Sequence, residues 1–222
     1  MKSPSMRMTL EPLALAKYVT SQLNCLFQDQ NTVDEGQIYD LLPSTLSRME
    51  HCFSYINAKY FFDRGVCQFD HLNGDQYAMF LYLLSNAAFK GKTASGLAAK
   101  LYLLNKSLHG IDAFYEIELP SIFLFVHPVG TILGRATYRD FLMVYQHCSV
   151  GSNHNKYPDL GAFLTLHPGS SVLGSSHIGD NCAIAAGGLL IDENIAANRV
   201  YFGGPKNFST KINASKQAIW RV

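Results

Sequence analysis

The sequence predicts an α+β protein by content, with an N-terminal helical domain followed by a β-solenoid. In residues 126–190 an apolar anchor recurs every six residues, with one insertion of four extra residues. Neither a helix nor an alternating strand has that period. Three six-residue strands can instead close one triangular coil, and stacking the coils buries the anchors as a continuous core. Before residue 112 the apolar spacing is helical.

The helical half is predicted from apolar runs that repeat every three or four residues. They indicate helices near residues 13–26, 38–53 and 75–89. A fourth helix is expected to begin at Thr93 as its N-cap and to stop at Gly110. We therefore place a helical domain at residues 1–111 and the solenoid at residues 112–206.

The solenoid is expected to open with a lead-in strand at residues 112–120, which alternate in polarity and end in proline. The predicted inward anchors are Val126, Ile132, Tyr138, Val144, Val150, Leu160, Leu166, Val172, Ile178, Ile184 and Leu190. The insertion should leave the wall as a loop at residues 151–159. Residues 207–222 are predicted to form a polar C-terminal tail that folds back as a short helix or stays mobile.

Composition narrows the function classes. The 222 residues carry 18 Lys and Arg against 17 Asp and Glu, a net charge of +1, which argues against a nucleic-acid partner. No stretch is apolar enough for a membrane span, so we expect no membrane partner and a cytoplasmic location. The five cysteines are scattered and are predicted to be reduced thiols. No metal is expected, because no His/Cys group has ligand spacing.

The strongest candidate for chemistry is His127, which follows the first anchor and precedes a Pro/Gly turn. An unperturbed histidine has a pKa near 6.5, so it can accept a proton from an alcohol at neutral pH. Glu118, or Glu116 as a second choice, lies upstream and could orient the ring. The alternative is that His127 only caps a turn. Loop 151–159 is a second candidate, since loops on rigid scaffolds often carry function.

Several stretches together resemble one family. They are residues 126–134, the loop ending Lys156-Tyr157-Pro158, and Gly203-Gly204-Pro205 behind the period-six repeats. This pattern is similar to the serine O-acetyltransferase branch of the hexapeptide-repeat acyltransferases. The resemblance implies a left-handed parallel β-helix, a homotrimer or dimer of trimers, acetyl-CoA as cosubstrate in a groove between neighbouring prisms, and serine acetylation in cysteine biosynthesis.

The resemblance also assigns residues. His127 matches the family's catalytic histidine and Glu118 its acidic partner, while Asp75 matches an aspartate that contacts substrate, although Asp75 could equally be a helix N-cap. Lys156 and Tyr157 stand where the family has Arg-His, and His154 could contribute from the same loop. The residues expected along the CoA groove are Gly174, Ser175, Ala185, Ala186, Gly204 and Lys206.

The substrate stays open at this point. Lysine keeps a positive charge but lacks the two-pronged grip of arginine on a carboxylate, and Tyr157 is neutral. Val126 replaces a further polar group of the family. The alternatives are therefore a sugar O- or N-acetyltransferase for surface polysaccharide, or a non-catalytic trimeric solenoid scaffold.

Overall fold

The structure is a computed structural model that describes residues 6–92, 96–214 and 218–222. Within these ranges the helices are α1 (Pro12–Leu26), α2 (Glu35–Ser54), α3 (Gly74–Lys90) and α4 (Leu97–His109). A small sheet joins β1 (Arg7–Met8), β2 (Phe62–Asp63) and β3 (Val66–Phe69). The predicted cap Thr93 lies outside the described residues. The helices occupy the predicted regions, and a parallel β-solenoid follows them, which confirms the predicted fold class.

Local sequence chemistry sets the helix ends. Pro12 starts α1, where its missing N–H costs no hydrogen bond. The Asp34 side chain accepts from the backbone of α2 while Gln37 reaches back to the Asp34 N–H, a capping box. Gly96 and Gly110 flank α4 in the left-handed conformation that glycine adopts readily. These ends fix where the helices enter and leave the domain core.

Helix α3 is the central element of the helical half. It packs against α2, α4 and the solenoid strand at Phe123–Phe125, and most of its residues from Gln76 to Ala88 are buried. Tyr82, which is 1 % exposed, donates its hydroxyl to the Ile117 carbonyl and accepts from the Leu119 N–H. The segment that enters the solenoid is therefore pinned to α3 on both sides of residue 118.

The solenoid is a triangular prism whose faces are built from parallel strands. In the described chain, the first face holds β5 (Phe123–Phe125), β7 (Leu142–Val144), β10 (Thr165–Leu166), β13 (Ala183–Ile184) and β16 (Arg199–Gly204). The second face holds β4 (Asp112–Ala113), β6 (Ile132–Leu133), β8 (Ser149–Gly151), β11 (Ser171–Leu173) and β14 (Leu189–Ile191). The third holds β9 (Asp159–Leu160), β12 (His177–Ile178) and β15 (Asn194–Ile195).

Each coil visits the three faces in this order, so the prism has three edges. The first edge follows the first face, the second edge follows the second face, and the third edge returns the chain to the first face. Residues one coil apart stand in register, as Leu166 does with Ile184. Stacking of this kind gives every inward side chain a neighbour above and below.

The anchor prediction is confirmed from Tyr138 onward, where the anchors are buried, and is wrong in the first coil. There Phe125 and Leu133 point inward, at 0 % and 1 % exposure, whereas Ile132 is 49 % exposed. The physical reason is the first edge of that coil, where the turn between Phe125 and Leu133 has two more residues than the turn between Val144 and Val150 in the next coil. Within it the Val129 N–H donates to the His127 carbonyl at 2.7 Å. The enlarged turn moves the register by one residue on each side of it.

Small residues after the anchors are required by close coil stacking at two positions. A Cβ added to Gly161 would lie 2.5 Å from the carbonyl carbon of Gly179, and one added to Gly179 would lie 2.5 Å from the backbone nitrogen of Ala197. Any larger side chain would push neighbouring coils apart. Glycine here serves packing between coils.

The two ends of the solenoid are closed differently. The helical half covers the first coil, where the Cys52 thiol donates to the Phe123 carbonyl at 3.0 Å and the Tyr102 hydroxyl donates to Asp112 at 2.7 Å. At the far end, β16 turns at residues 205–206 into antiparallel β17 (Asn207–Ile212).

The lead-in and tail expectations need correction. Of residues 112–120, the first two form a strand, β4, because Tyr82 holds the later ones in a turn. The tail contributes strand β17, and its end returns to the helical half. There Trp220 forms an antiparallel bridge with Ile56 and the Arg221 guanidinium lies 3.6 Å from the Phe62 ring centroid.

Candidate active site

His127 lies on the first edge of the first coil, between β5 and β6. Its φ of 50° places it in the left-handed region, and its side chain is 77 % exposed. Non-glycine residues in that region carry backbone strain, which the surroundings must hold in place. The imidazole is therefore presented to solvent on a constrained backbone.

Asp75 holds the backbone of His127. The His127 N–H donates to Asp75 Oδ1 at 2.9 Å, and the same oxygen lies 3.8 Å from His127 Nδ1. Asp75 stands in the first turn of α3, while the N-cap is Asn73, whose side chain accepts from the Asp75 and Gln76 N–H groups. The alternative that Asp75 is the N-cap is thus wrong, and its carboxylate is turned toward His127.

The environment of Asp75 acts on its ionisation. Burial raises the pKa of the Asp75 carboxyl, and the hydrogen bond from the His127 N–H opposes that rise. A buried carboxylate gains most from nearby positive charge.

Glu118, the predicted partner of His127, lies elsewhere. Its carboxylate accepts from Lys90 Nζ at 2.7 Å and from the Asn86 amide at 3.4 Å. The cause is the anchoring of the residues on each side of it to Tyr82, which turns Glu118 outward between α2 and α3. In this structure the acid beside His127 is Asp75.

Loop 151–159 occupies the second edge, one prism face away from His127. The Asn153 side chain donates to Asp192 at 2.8 Å, and Asn153 and Lys156 form a bridge that closes the loop. His154 has a φ of 49°, and Lys156 and Tyr157 are exposed. Within one chain the structure therefore does not bring the loop residues together with His127.

The residues expected along a CoA groove divide between two edges. Gly174 and Ser175 stand on the second edge, where Ser175 donates to Asp192 through its N–H at 2.7 Å and its hydroxyl at 2.9 Å. Ala185 and Ala186 follow β13 on the first edge, below His127. Gly204 ends β16 and Lys206 lies in the following turn with a φ of 66°.

Sequence reasoning missed two aromatic rings on the first edge. Tyr145 and His167 stack at 5.5 Å between ring centroids, with 17° between their planes. Burial lowers the pKa of His167. Both residues directly follow an inward strand, as His127 nearly does, so the repeat register was the signal that could have found them.

Three properties of the described residues bear on the wider setting. Among them there is no group of three or more His, Cys, Asp or Glu side chains placed to hold a metal ion. None of their helices is both long and apolar enough to cross a membrane. All five cysteines are free thiols.

Comparison with solved structures decides the fold. A serine acetyltransferase of Neisseria gonorrhoeae superposes with a TM-score of 0.69 over 94 % of this chain and 84 % of its own, at 17 % identity. This is the serine acetyltransferase fold. A Brucella abortus serine acetyltransferase in complex with coenzyme A has the same fold, with a TM-score of 0.67 and 15 % identity over 92 % of this chain and 83 % of its own.

Sequence comparison reaches less far. A Schizosaccharomyces pombe protein described as an inferred serine acetyltransferase is 26 % identical over 102 residues, which are 44 % of this chain and 37 % of that protein. The match thus spans little more than a third of that relative. No family model matches the chain.

Proposed function

We propose that this protein is an acetyl-CoA-dependent O-acetyltransferase that transfers the acetyl group directly to a hydroxyl. The observation that carries the proposal is the exposed His127 held by Asp75, in a fold shared with serine acetyltransferases. A solved relative of that fold binds coenzyme A, which supports a thioester donor. An exposed histidine next to a carboxylate can act as the general base that a hydroxyl acceptor needs.

The chemistry is a single displacement at the thioester carbonyl. His127 takes the proton of the acceptor hydroxyl as its oxygen attacks the carbonyl carbon. The C–O bond forms, the C–S bond breaks, and the proton passes to the leaving CoA thiolate. Asp75, in the place we predicted for Glu118, stabilises the positive imidazole that forms during this transfer. Backbone N–H groups of the edge are the natural donors to the oxyanion.

The acceptor site is proposed to combine two protomers. His127 and loop 151–159 stand on different edges of one prism, so packing prisms side by side places the loop of one against His127 of the next. Exposed apolar side chains on the first edge and second face, Val129 at 51 % and Ile132 at 49 %, favour such packing. We therefore keep the homotrimer, alone or paired as a dimer of trimers, as a proposal.

Side-by-side packing of protomers also explains why the residues expected along the CoA groove lie on two different edges of one prism. Ala185 and Ala186 of one protomer and Gly174 and Ser175 of its neighbour would line a common groove, with Lys206 near its end as a point charge for a phosphate. Small side chains leave room for an extended pantetheine arm. A cytoplasmic location, where acetyl-CoA is available, stays part of the proposal.

L-serine is the first acceptor to test, with sugars second. Lys156 supplies a positive charge for a carboxylate, which favours an amino acid. Tyr157 in place of a cation weakens that grip and favours a sugar hydroxyl or amine. Both acceptors need the same base, so the loop decides between them.

The experiment is thiol release from acetyl-CoA with L-serine and then a sugar panel. His127→Ala should lower turnover by about 10²–10⁴-fold, the usual contribution of a general base. His177→Ala is the matched control, because His177 is an exposed histidine on the third face. Equal turnover in the native protein and His127→Ala would contradict the proposal. No turnover by the native protein with any acceptor would favour the non-catalytic scaffold.

A further inference from the structure

A cleft of about 430 Å³ lies where the helical half meets the entry to the solenoid. Ser47, Arg48 and His51 of α2 form one wall and Lys90 at the end of α3 another. The residues Glu118, Leu119, Pro120 and Ser121 close it from the solenoid side, and Leu83 of α3 also lines it. The volume is within the range of about 300–1,000 Å³ common for small-molecule sites.

The charge in this cleft is positive. Arg48 and Lys90 are cationic, His51 adds a charge when protonated, and Glu118 supplies the negative charge among the lining residues. Arg48 and His51 are three residues apart on α2, so they share one helix face. Convergence of these side chains on one volume suits an anion.

Arg48 is fixed rather than mobile. Its guanidinium donates to the side-chain oxygen of Asn86 at 2.9 Å, and Asn86 is fully buried. This bond is to a neutral amide, so it leaves the guanidinium charge uncompensated, whereas the Lys90 ammonium is shared with Glu118 at 2.7 Å. A planar guanidinium held in one orientation matches the paired oxygens of a phosphate.

A second cleft of about 580 Å³ continues from the first, since Pro120 and Ser121 line both. Its wall includes Tyr138 and the stacked rings of Phe141 and Phe163, whose centroids are 4.1 Å apart. A ligand with its anionic group at Arg48 would lay its organic part along these rings. Flat apolar groups gain from such contact.

We propose that this double cleft binds a phosphate monoester with a flat apolar or aromatic body. The site is separate from the first edge of the prism and from the residues assigned to acetyl transfer. Arg48 and Lys90 hold the phosphate, and the Phe141–Phe163 stack holds the body. The carboxylate of Glu118 repels the anion, so removing its charge should tighten binding.

The test is calorimetric titration of the full chain with phenyl phosphate and with inorganic phosphate. Phenyl phosphate should bind at least about tenfold more tightly, because inorganic phosphate cannot use the aromatic wall. Arg48→Gln and Lys90→Gln should each weaken phenyl phosphate by about tenfold or more. Glu118→Gln should tighten it, a gain that loss of structure would not produce. Lys59→Gln, a lysine outside the cleft, is the matched control and should bind as the native protein does.

Three outcomes would overturn the proposal. One is the absence of binding by either probe at millimolar concentration. The second is equal affinity of the native protein, Arg48→Gln and Lys90→Gln, with circular dichroism showing all three folded. The third is displacement of phenyl phosphate by CoA from Arg48→Gln as readily as from the native protein, which would place the phosphate in the cosubstrate groove instead. Thiol release from acetyl-CoA is measured separately, so failure here leaves the proposed acetyl transfer unaffected.

Discussion

Two edges of the same prism contain residues with the same strained backbone conformation, but the side chains of these residues have different roles. On the third edge Phe141, Phe163, Asn181 and Asn198 all have positive φ, from 54° to 67°. Each meets its neighbour one coil away: the phenylalanine rings stack, and the Asn181 amide donates to Asn198 at 2.8 Å. On the first edge His127 has the same conformation, but its side chain faces solvent and its backbone is held by a carboxylate from α3.

The difference shows where a repeat protein can place chemistry. Side chains that repeat coil by coil satisfy one another, and the strain of each positive φ is offset by the ladder. His127 stands in the coil whose register is displaced, beside a helical half that interrupts the repetition. A reactive side chain needs an exposed face and a polar atom that no neighbouring coil occupies. Both are available where the ladder is interrupted.

Trp220 gives the largest expected loss of stability. It is 5 % exposed and its ring centroid lies 5.6 Å from that of Phe141, so the chain end covers part of the third edge. Trp220→Ala should lower the free energy of unfolding by about 3 kcal/mol, as for other large aromatic groups removed from a core. Val222→Ala, at 86 % exposure, is the matched control. Urea unfolding with equal midpoints for the two variants would show that the tail does not hold the edge.

Asn181 tests whether the third edge is structural. Asn181→Ala removes the ladder hydrogen bond and leaves alanine at a φ of 54°, so we expect a loss of about 2 kcal/mol. Asn181→Gly removes the bond without the strain and should lose less. Acetyl transfer per folded molecule should stay at the native level in both. A fall in turnover without a fall in stability would reverse the roles of the two edges.

Asp75 tests whether the first edge is catalytic. Asp75→Asn keeps an oxygen for the His127 N–H and removes the charge, so turnover should fall about tenfold, equivalent to about 1.4 kcal/mol. The pKa of Asp75 is raised by burial, so its ionised form is disfavoured in the folded state and stability should fall as pH rises through the raised pKa. The asparagine variant should therefore be at least as stable at pH 7. A variant that is less stable but equally active would contradict this assignment.

The third face gives the smallest effect. Arg139, and then His177, hold the pKa of Asp159 below its ordinary value. The stabilisation is present above the unfolded pKa of about 3.9 and is lost as pH falls through the lowered folded pKa. Asp159→Asn should cost less than about 1 kcal/mol at pH 7, because the pair is exposed, and the difference should vanish in acid.

The solenoid could be predicted because each repeat of its six-residue period is marked by a single anchor residue. From Val144 to Leu190 each anchor needs one aliphatic side chain at one position, and those anchors are buried. The first coil could not be predicted in the same way. Its register depends on a turn at His127 and on contact with α3, which are tertiary features that override local spacing.

The residues of the candidate site show the same contrast between local sequence and tertiary contact. His127 was found from its place beside a Pro/Gly turn, and its proximity to Asp75 depends on how α3 packs against β5. Nearness in sequence and the family resemblance both favour Glu118 as the partner of His127, whereas the two hydrogen bonds of Tyr82 turn it toward Lys90. Short sequence separation is a poor guide where a buried hydroxyl redirects the chain.

The antiparallel hairpin of β16 and β17 also limits growth. A parallel solenoid ends in unpaired strands that invite another chain to add the next coil, which is how fibres elongate. Here β17 runs against the stack and covers β16 on the first face, so a further coil in the direction of the prism would have to pair antiparallel to β17 there. With the helical half over the opposite end, the strands of the first face are covered at both ends of the prism.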